Sequence, residues 1–277
     1  MASQVLKKVD WGVLREVQSP PDINLAAWNM ALDSVIFERV SVNRSNAVVR
    51  LYEWPRPAIT LGRFQNPHEA LNLAVCREES VDVALRPTGG RGILHGDDLT
   101  VSIAAGLEDL KLNPDASVGR IYACIGGLFE SAFAALGTAV QRGGHSGGVR
   151  MRHGNCMASV TQADLVDGVT GRKMLGAALL LRNGCVLCQC TIPVNAQRRV
   201  FALLSERVFK GKKKETPTAS IVAHDSARLR TSILDAMETC FGIGPTNVDM
   251  ASIDWDASMR RAKELSVYPV EEPPAHN

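Results

Sequence analysis

Hydrophobic and polar positions along the chain repeat with two periods, one typical of helices and one typical of strands. Residues 22–40 place apolar side chains at helical spacing, and Asp22 or Asn24 is a suitable N-terminal cap. Further helices are predicted at about 66–79, 117–137, 196–206, 225–240 and 256–265. Strands are predicted at about 47–54, 82–86, 99–104, 159–166, 173–181 and 185–192. The Asn183-Gly184 pair between the last two strands indicates a hairpin.

This order of elements predicts an α+β fold in a single domain that spans residues 1–277. Several strands follow one another directly along the chain and should pair antiparallel, so the expected sheet is mixed, largely antiparallel and flanked by helices. We expect the core at about residues 22–245 and a flexible C-terminal tail at 266–277.

The composition and charge of the chain argue against several classes of protein. Hydrophobic residues make up 45% of the chain and charged residues 22%, which are ordinary values for a globular protein. The net charge of +2 gives no reason to expect nucleic-acid binding. No apolar run is long enough to span a membrane, and the N-terminus lacks the apolar core of a signal peptide. We therefore expect a cytoplasmic protein that binds neither nucleic acid nor membrane.

The seven cysteines are irregularly spaced, which favours reduced thiols over a disulfide framework. Three fall within helical patterns and are expected in the core, namely Cys76, Cys124 and Cys240. Cys185, Cys188 and Cys190 lie close together, but on a strand only Cys188 and Cys190 share a face. Small buried strand residues are therefore favoured over a metal site.

The most unusual stretch is the glycine loop and its flanks at residues 86–95, Arg-Pro-Thr-Gly-Gly-Arg-Gly-Ile-Leu-His. Consecutive glycines between two strands let backbone N–H groups approach a ligand closely. With Arg86, Arg91 and His95 at its borders, the loop can hold a phosphate, a carboxylate or a thioester oxygen. The alternative is a plain tight turn with solvated arginines.

Two further side chains can carry group-transfer chemistry. Cys156 follows a segment with two arginines and a histidine, and cationic neighbours raise the thiolate fraction of a cysteine. A thiolate can attack a thioester and hold the acyl group. Lys173 begins a predicted strand beside Gly176 and Ala177, where it can stabilise an oxyanion. The alternatives are a loop cysteine without a role and a surface lysine at the end of a hairpin.

In this order the motifs resemble the lipoate-protein ligase and octanoyltransferase family, which shares its catalytic fold with biotin protein ligase. The resemblance runs from about residue 22 to 207 and rests on segments 51–66, 86–102 and 171–177. Within the family, the Arg-Pro-Thr-Gly-Gly-Arg motif is most similar to the cysteine-dependent, ligase-like octanoyl-[acyl carrier protein]:protein N-octanoyltransferases.

The resemblance implies an acyl-transfer reaction. An octanoyl group, or a related medium-chain or lipoyl group, would pass from an acyl carrier protein thioester through Cys156 to a lysine. That lysine would belong to a lipoyl domain or to the glycine-cleavage H protein, and Lys173 would contact the acyl carbonyl. No metal, ATP or other cofactor is implied, because a thioester is already activated. The implied substrate-binding residues are Arg86, Thr88, Gly89, Gly90, Arg91, His95, Gly176 and Ala177.

Two departures from the family pattern affect the expected pocket wall. Gln189-Cys190-Thr191 stands where the family usually has His-Gly-Thr or His-Gly-Ser, and Ala177-Ala178 replaces the common Ser-Ala. These changes leave the acyl-chain length and the acceptor protein open, and the sequence does not indicate the oligomeric state. Two other functions also stay open: an ATP-dependent lipoate-protein ligase that forms a lipoyl-adenylate, and a non-catalytic carrier-binding protein.

Overall fold

The structure is a computed structural model. It describes residues 12–14, 20, 23–43, 46–96, 98–143, 163–194, 198–210, 226–242, 246–248 and 253–268. Cys156, the first half of the predicted strand 159–166 and the tail from residue 269 onward lie outside these ranges.

Helices and strands are interspersed along the chain. The helices of the described ranges are α1 (Leu25–Asn43), α2 (Pro67–Ala70), α3 (Leu73–Glu78), α4 (Val118–Ala135), α5 (Arg198–Val208), α6 (Ser226–Phe241) and α7 (Trp255–Leu265). The strands are β1 (Gly12–Leu14), β2 (Val48–Glu53), β3 (Ala58–Leu61), β4 (Asp82–Leu85), β5 (Ile93–His95), β6 (Asp98–Gly106), β7 (Val140–Arg142), β8 (Leu165–Asp167), β9 (Lys173–Arg182), β10 (Cys185–Pro193) and β11 (Thr246–Asn247).

An eight-stranded sheet forms the centre, with strand order β11-β1-β2-β6-β10-β9-β8-β7. Strands β2, β6, β10 and β9 pair antiparallel, whereas β1 pairs parallel with both β2 and β11. The β9–β10 hairpin turns at Asn183 and Gly184, whose φ angles of 53° and 70° are those that a tight hairpin turn requires. The predicted hairpin and the predicted mixed, largely antiparallel sheet are confirmed.

A second, three-stranded sheet has the order β4-β3-β5. Strand β3 pairs parallel with β4 and antiparallel with β5, so the glycine loop connects the two outer strands of this sheet. The hydrophobic pattern did not predict β3, β5, β1, β7 or β11. Each has only two to four residues, too few for an alternating pattern, and each forms because a neighbouring strand offers hydrogen-bond partners.

Helices cover both faces of the central sheet. Along β10, Val186 and Cys188 join the hydrophobic cluster that contains α4 and α6, whereas Cys185 and Leu187 join the cluster that contains α1 and α7. The side chains of one strand therefore alternate between two buried layers. None of the described helices has the length and apolar character needed to cross a lipid bilayer.

The helix predicted at 66–79 is two short helices, α2 and α3. Asn66 caps α2 as predicted, since its side chain accepts from the His68 N–H. Asn72 then provides a second cap by accepting from the Val75 N–H, and Leu71 forms a β-bridge with Phe209. The chain must leave helical geometry to make that bridge, so one continuous helix was the wrong prediction.

A buried ion pair joins α1 to the central sheet. Arg50 Nη1 on β2 lies 2.8 Å from Asp33 Oδ1, and both side chains are at most 1% exposed. Arg50 also donates to the backbone oxygen of Asn29 at 3.0 Å, and Tyr52 Oη donates to Asp33 Oδ2 at 3.0 Å. Burial and then the charge of Asp33 raise the pKa of Tyr52 well above its ordinary value, so the phenol keeps its proton.

Replacing Asp33 tests how much the fold depends on this pair. Asp33→Ala leaves the Arg50 charge buried without its carboxylate, so we expect the free energy of unfolding to fall by about 3–5 kcal/mol. The matched control is Arg56→Ala, because Arg56 pairs with Asp82 at 2.8 Å but is 48% exposed. That change should cost at most about 1 kcal/mol. Urea unfolding measures both, and equal losses would contradict the prediction.

Candidate active site

A pocket opens between α1, the three-stranded sheet and the β9–β10 hairpin. Its empty volume is about 410 Å³, including space open to solvent. The lining is mostly apolar surface, and the residues of β9 that line it are small. The lining residues are Met30, Thr60, Arg86, Gly90, Ile93, His95, Thr100, Gly176, Ala177, Ala178, Gln189 and Thr191.

The buried side chain of Arg86 holds the glycine loop through the carbonyl groups of the loop. Its Nε and Nη2 donate to the Gly89 oxygen at 3.0 and 2.6 Å, and Nη2 also donates to the Arg91 oxygen at 2.8 Å. Gly90 has a φ of 91°, and a Cβ there would lie 2.7 Å from Arg86 Nη2, so this position needs glycine. Because a trans peptide directs its N–H opposite to its carbonyl, the Gly90 N–H points away from Arg86.

The turn that follows β3 packs directly against the glycine loop. The Arg63 N–H donates to the Thr88 oxygen at 3.0 Å. A Cβ on Gly62 would clash with the carbonyl of Gly90, so the two backbones approach each other as closely as glycine allows. The loop is therefore held by Arg86 and by the turn after β3.

A second polar contact ties the loop to α1 through β10. Thr88 Oγ1 donates to Gln189 Oε1 at 2.7 Å, and Gln189 Nε2 donates to Asp33 Oδ2 at 2.6 Å. Both the oxygen and the nitrogen of the Gln189 side-chain amide are therefore hydrogen-bonded. Thr88 is completely buried. Sequence reasoning noted Gln189 as a departure from the family pattern but assigned it no role.

His95 forms a fixed part of the pocket wall. Its Nδ1 lies 2.8 Å from Asp98 Oδ2, and its Nε2 lies 2.9 Å from Thr60 Oγ1. The indole of Trp54 stacks on the imidazole at 4.1 Å between ring centroids, and Trp54 Nε1 donates to Thr100 Oγ1 at 2.9 Å. With both ring nitrogens bonded and one ring face covered, the imidazole is oriented by three neighbours.

Lys173 is buried and paired with an acid. Its Nζ lies 2.9 Å from Asp164 Oδ1, and the two side chains are 2% and 3% exposed. The alternative of a surface lysine at a hairpin end is therefore wrong. Asp164 was missed by sequence reasoning, because no motif or spacing links an aspartate just before β8 to a lysine at the start of β9.

The cysteines of the described ranges form no disulfide bonds, and none of them is among the residues that line the pocket. Cys188 and Cys190 share one face of β10, as predicted, with their Sγ atoms 3.5 Å apart. The hydrogen bond that Cys190 shares with Cys188 and then burial raise the pKa of Cys190 well above its ordinary value, and burial raises that of Cys76 and Cys124. Protonated thiols are poor nucleophiles. No group of metal-binding side chains occurs within the described ranges.

The structure gathers part of the predicted site around the pocket. The predicted residues that line it are Arg86, Gly90, His95, Gly176 and Ala177. Thr88, Gly89 and Arg91 are bonded to the lining residues Gln189 and Arg86. Lys173 lies at the start of β9, which further along contributes Gly176 to the wall, but it is not itself a lining residue. Cys156 lies outside the described ranges.

Comparison with known proteins identifies the family. Residues 26–238 match the sequence profile described as the lipoyl protein ligase A/B catalytic domain. The chain belongs to this family. The lipoyl protein ligase A/B family resemblance and the α+β fold predicted from the motifs are both confirmed.

Similar sequences include two bacterial proteins named octanoyltransferase LipM. The one from Bacillus cereus is 28% identical over 269 residues, which cover 93% of each chain. The one from Clostridioides difficile is 30% identical over 194 residues, which cover 69% of this chain and 67% of the other.

Similar solved structures share the fold of this family member. A putative lipoate protein ligase from Thermoplasma acidophilum with bound lipoic acid has a TM-score of 0.69 at 16% identity, covering 93% of this chain and 94% of the other. A lipoate-protein ligase A bound with ATP has a TM-score of 0.70 at 18% identity, with the same coverage.

The contact between Thr88 and Gln189 can be measured by a double-mutant cycle. Gln189→Met keeps the side-chain length but leaves the Thr88 hydroxyl and one Asp33 oxygen without this partner, so we expect a loss of about 1–3 kcal/mol in the free energy of unfolding. Thr88→Val should cost less when Gln189 is already methionine, because the shared bond is gone. Denaturant unfolding of the two single variants and the double variant gives the coupling. Full additivity would show that the contact does not bind the loop to β10.

Proposed function

We propose that this protein is an octanoyltransferase. It moves an octanoyl group, or a related medium-chain or lipoyl group, from a thioester on acyl carrier protein to a lysine of a lipoyl domain or of the glycine-cleavage H protein. The pocket carries the proposal: a mostly apolar space borders a glycine loop whose carbonyls are turned toward Arg86. The relative from Bacillus cereus named octanoyltransferase LipM, which matches along 93% of this chain, supports the same reaction class.

The acyl chain occupies the pocket beside β9. Gly176, Ala177 and Ala178 present little side chain there, so an unbranched hydrocarbon can pack against the strand and lose its contact with water. The acyl carbonyl lies at the glycine loop, where the Gly90 N–H faces away from Arg86. A preorganised donor at that position stabilises negative charge as it develops on the carbonyl oxygen.

The reaction has two steps, and each exchanges one bond at the acyl carbon. The Cys156 thiolate attacks the carbonyl, the bond to the carrier sulfur breaks, and the carrier thiolate leaves and takes up a proton. The acceptor lysine amine then attacks the acyl-enzyme, an amide forms, a proton leaves the nitrogen, and the Cys156 thiolate is regenerated. Lys173, held by Asp164, contributes its positive charge to the oxyanion in both steps.

The choice of Cys156 as nucleophile is supported by the surroundings of the other cysteines. Each of the other six lies within the described ranges, and none of these lines the pocket. Cys185, Cys188 and Cys190 are buried on β10. The remaining cysteine, Cys156, follows two arginines and a histidine in sequence.

Detection of an acyl group bound covalently to the enzyme distinguishes a cysteine-dependent transferase from an ATP-dependent ligase. Incubation with octanoyl-acyl carrier protein but no acceptor should leave one octanoyl group on Cys156, because the second step cannot proceed. Peptide mapping by mass spectrometry should find that label, which hydroxylamine removes and an added lipoyl domain accepts. Cys156→Ser should lower turnover strongly, since a serine needs a base to activate it.

Other outcomes of the same experiment would reject this mechanism. An acyl label on Cys188 or Cys190 would move the nucleophile to β10. No label, together with product that forms only with ATP and magnesium, would identify an ATP-dependent ligase. Binding of the carrier without transfer from any donor would identify a non-catalytic carrier-binding protein.

The Lys173–Asp164 pair needs a test that separates catalysis from folding. Lys173→Met should lower kcat by roughly 100- to 1,000-fold, as expected for loss of an oxyanion donor. It also removes the cation that is paired with the buried Asp164 carboxylate, which costs stability of about 3–5 kcal/mol. The double variant Asp164→Asn, Lys173→Met should regain stability but not turnover. The measurements are kcat and urea unfolding. If the double variant recovered both stability and turnover, the role of Lys173 would be structural only.

A further inference from the structure

The most exposed aromatic side chain in the described ranges is Phe64, in the turn between β3 and α2. It is 84% exposed, and the other exposed large hydrophobic residues of these ranges are aliphatic. Single exposed apolar side chains are common on protein surfaces, whereas aromatic residues are enriched where proteins bind other proteins. Phe64 is therefore a candidate for a protein contact only if its surroundings also favour one.

The turn that carries Phe64 is rigidly held. The Gln65 N–H donates to the Gly62 oxygen at 2.8 Å, and the Gly62 N–H donates to Gln65 Oε1 at 3.0 Å. The Arg63 N–H donates to the Thr88 oxygen at 3.0 Å, which attaches the turn to the glycine loop. A side chain on a fixed backbone loses little conformational entropy when a partner binds.

The same turn lies beside the pocket. The backbone at Gly62 packs against the carbonyl of Gly90, and Gly90 is a lining residue. Phe64 is only two positions further along the chain. A macromolecule that reaches the acyl group past the glycine loop must come close to this turn.

Exposed positive charge accompanies the aromatic ring. The Arg63 guanidinium lies 4.8 Å from the centroid of the Phe64 ring. Lys210, also exposed, donates from Nζ to the His68 oxygen at 3.0 Å, at the short helix that follows the turn. The exposed acid nearby, Glu69, accepts from Asn66 Nδ2 at 3.2 Å. An exposed aromatic ring in contact with an arginine, with an exposed lysine hydrogen-bonded to the neighbouring helix, complements an acidic protein surface with an apolar centre.

We propose that Phe64 and Arg63 form the docking contact for the acceptor domain, a folded protein that presents its reactive lysine beside acidic residues. This inference rests on the proposed acyl transfer. The donor holds its acyl group on a long flexible arm, so its folded part can stay at a distance. The acceptor amine sits on a four-carbon side chain, so the acceptor's own surface must approach the glycine loop. The contact at Phe64 therefore belongs to the acceptor.

The experiment compares Phe64→Ala with Val118→Ala in the two half-reactions. Val118 is a matched control because it is 49% exposed at the start of α4, a helix on the face of the central sheet opposite α1. We expect Phe64→Ala to raise KM for a purified lipoyl domain by at least about 10-fold, the loss typical of an interface anchor. The rate of acyl-enzyme formation from octanoyl-acyl carrier protein, and the rate at which free hydroxylamine discharges that acyl-enzyme, should match those of the unmodified enzyme.

Each alternative result has a definite meaning. An acceptor KM within about twofold of the unmodified enzyme, or as large a change in Val118→Ala, would overturn the docking contact. An equal loss in acyl-enzyme formation would assign Phe64 to the donor and also overturn it. If the unmodified enzyme transfers no acyl group, the proposed function fails separately. Binding of the lipoyl domain would then be measured by calorimetry for the unmodified protein and for Phe64→Ala. Loss of binding in Phe64→Ala would support the docking contact, and unchanged binding would reject it.

Discussion

The Asp33 carboxylate joins three parts of the protein in one buried cluster. It accepts hydrogen bonds from Arg50 and Tyr52 of β2 and from Gln189 of β10, while its own backbone belongs to α1. A charge so completely buried is tolerated only with partners that replace its hydration. Helix, sheet and pocket wall therefore keep one mutual arrangement, and the position of the glycine loop follows from it through Thr88.

The glycine loop has no regular secondary structure to hold it, so it depends on contacts from outside. The Arg86 guanidinium donates hydrogen bonds to the carbonyl oxygens of Gly89 and Arg91. The Arg63 N–H, in the turn after β3, donates to the carbonyl oxygen of Thr88. A backbone held in this way presents its N–H groups in a preset direction before substrate arrives. Preorganisation of this kind lowers the reorganisation needed in the transition state, which suits a site that stabilises an oxyanion.

A fold shared with ligases and a proposed transferase activity are compatible, because both chemistries need an acyl pocket beside a polar loop. They differ in how the acyl carbon is activated, by a mixed anhydride in one case and by a thioester in the other. The proposed difference lies in Cys156, and under the same proposal the pocket, the loop and the Lys173–Asp164 pair would serve either route. Under this proposal, the reaction class would depend on a few side chains placed on a common scaffold.

Local sequence determined the long elements α1, α4, α6, β6, β9 and β10, because each is long enough for its run of apolar residues to be recognised. It also determined the Asn183-Gly184 turn and, through the ordered motifs, the family and five of the residues that line the pocket. Arg50 stands within an apolar strand, but nothing in the sequence identified Asp33 as its partner. Only the tertiary structure decided the short strands, the Gln189–Thr88 contact and the pairing of Lys173 with Asp164. The physical reason is that each of these depends on a hydrogen-bond partner from another element, and no local pattern encodes which partner that is.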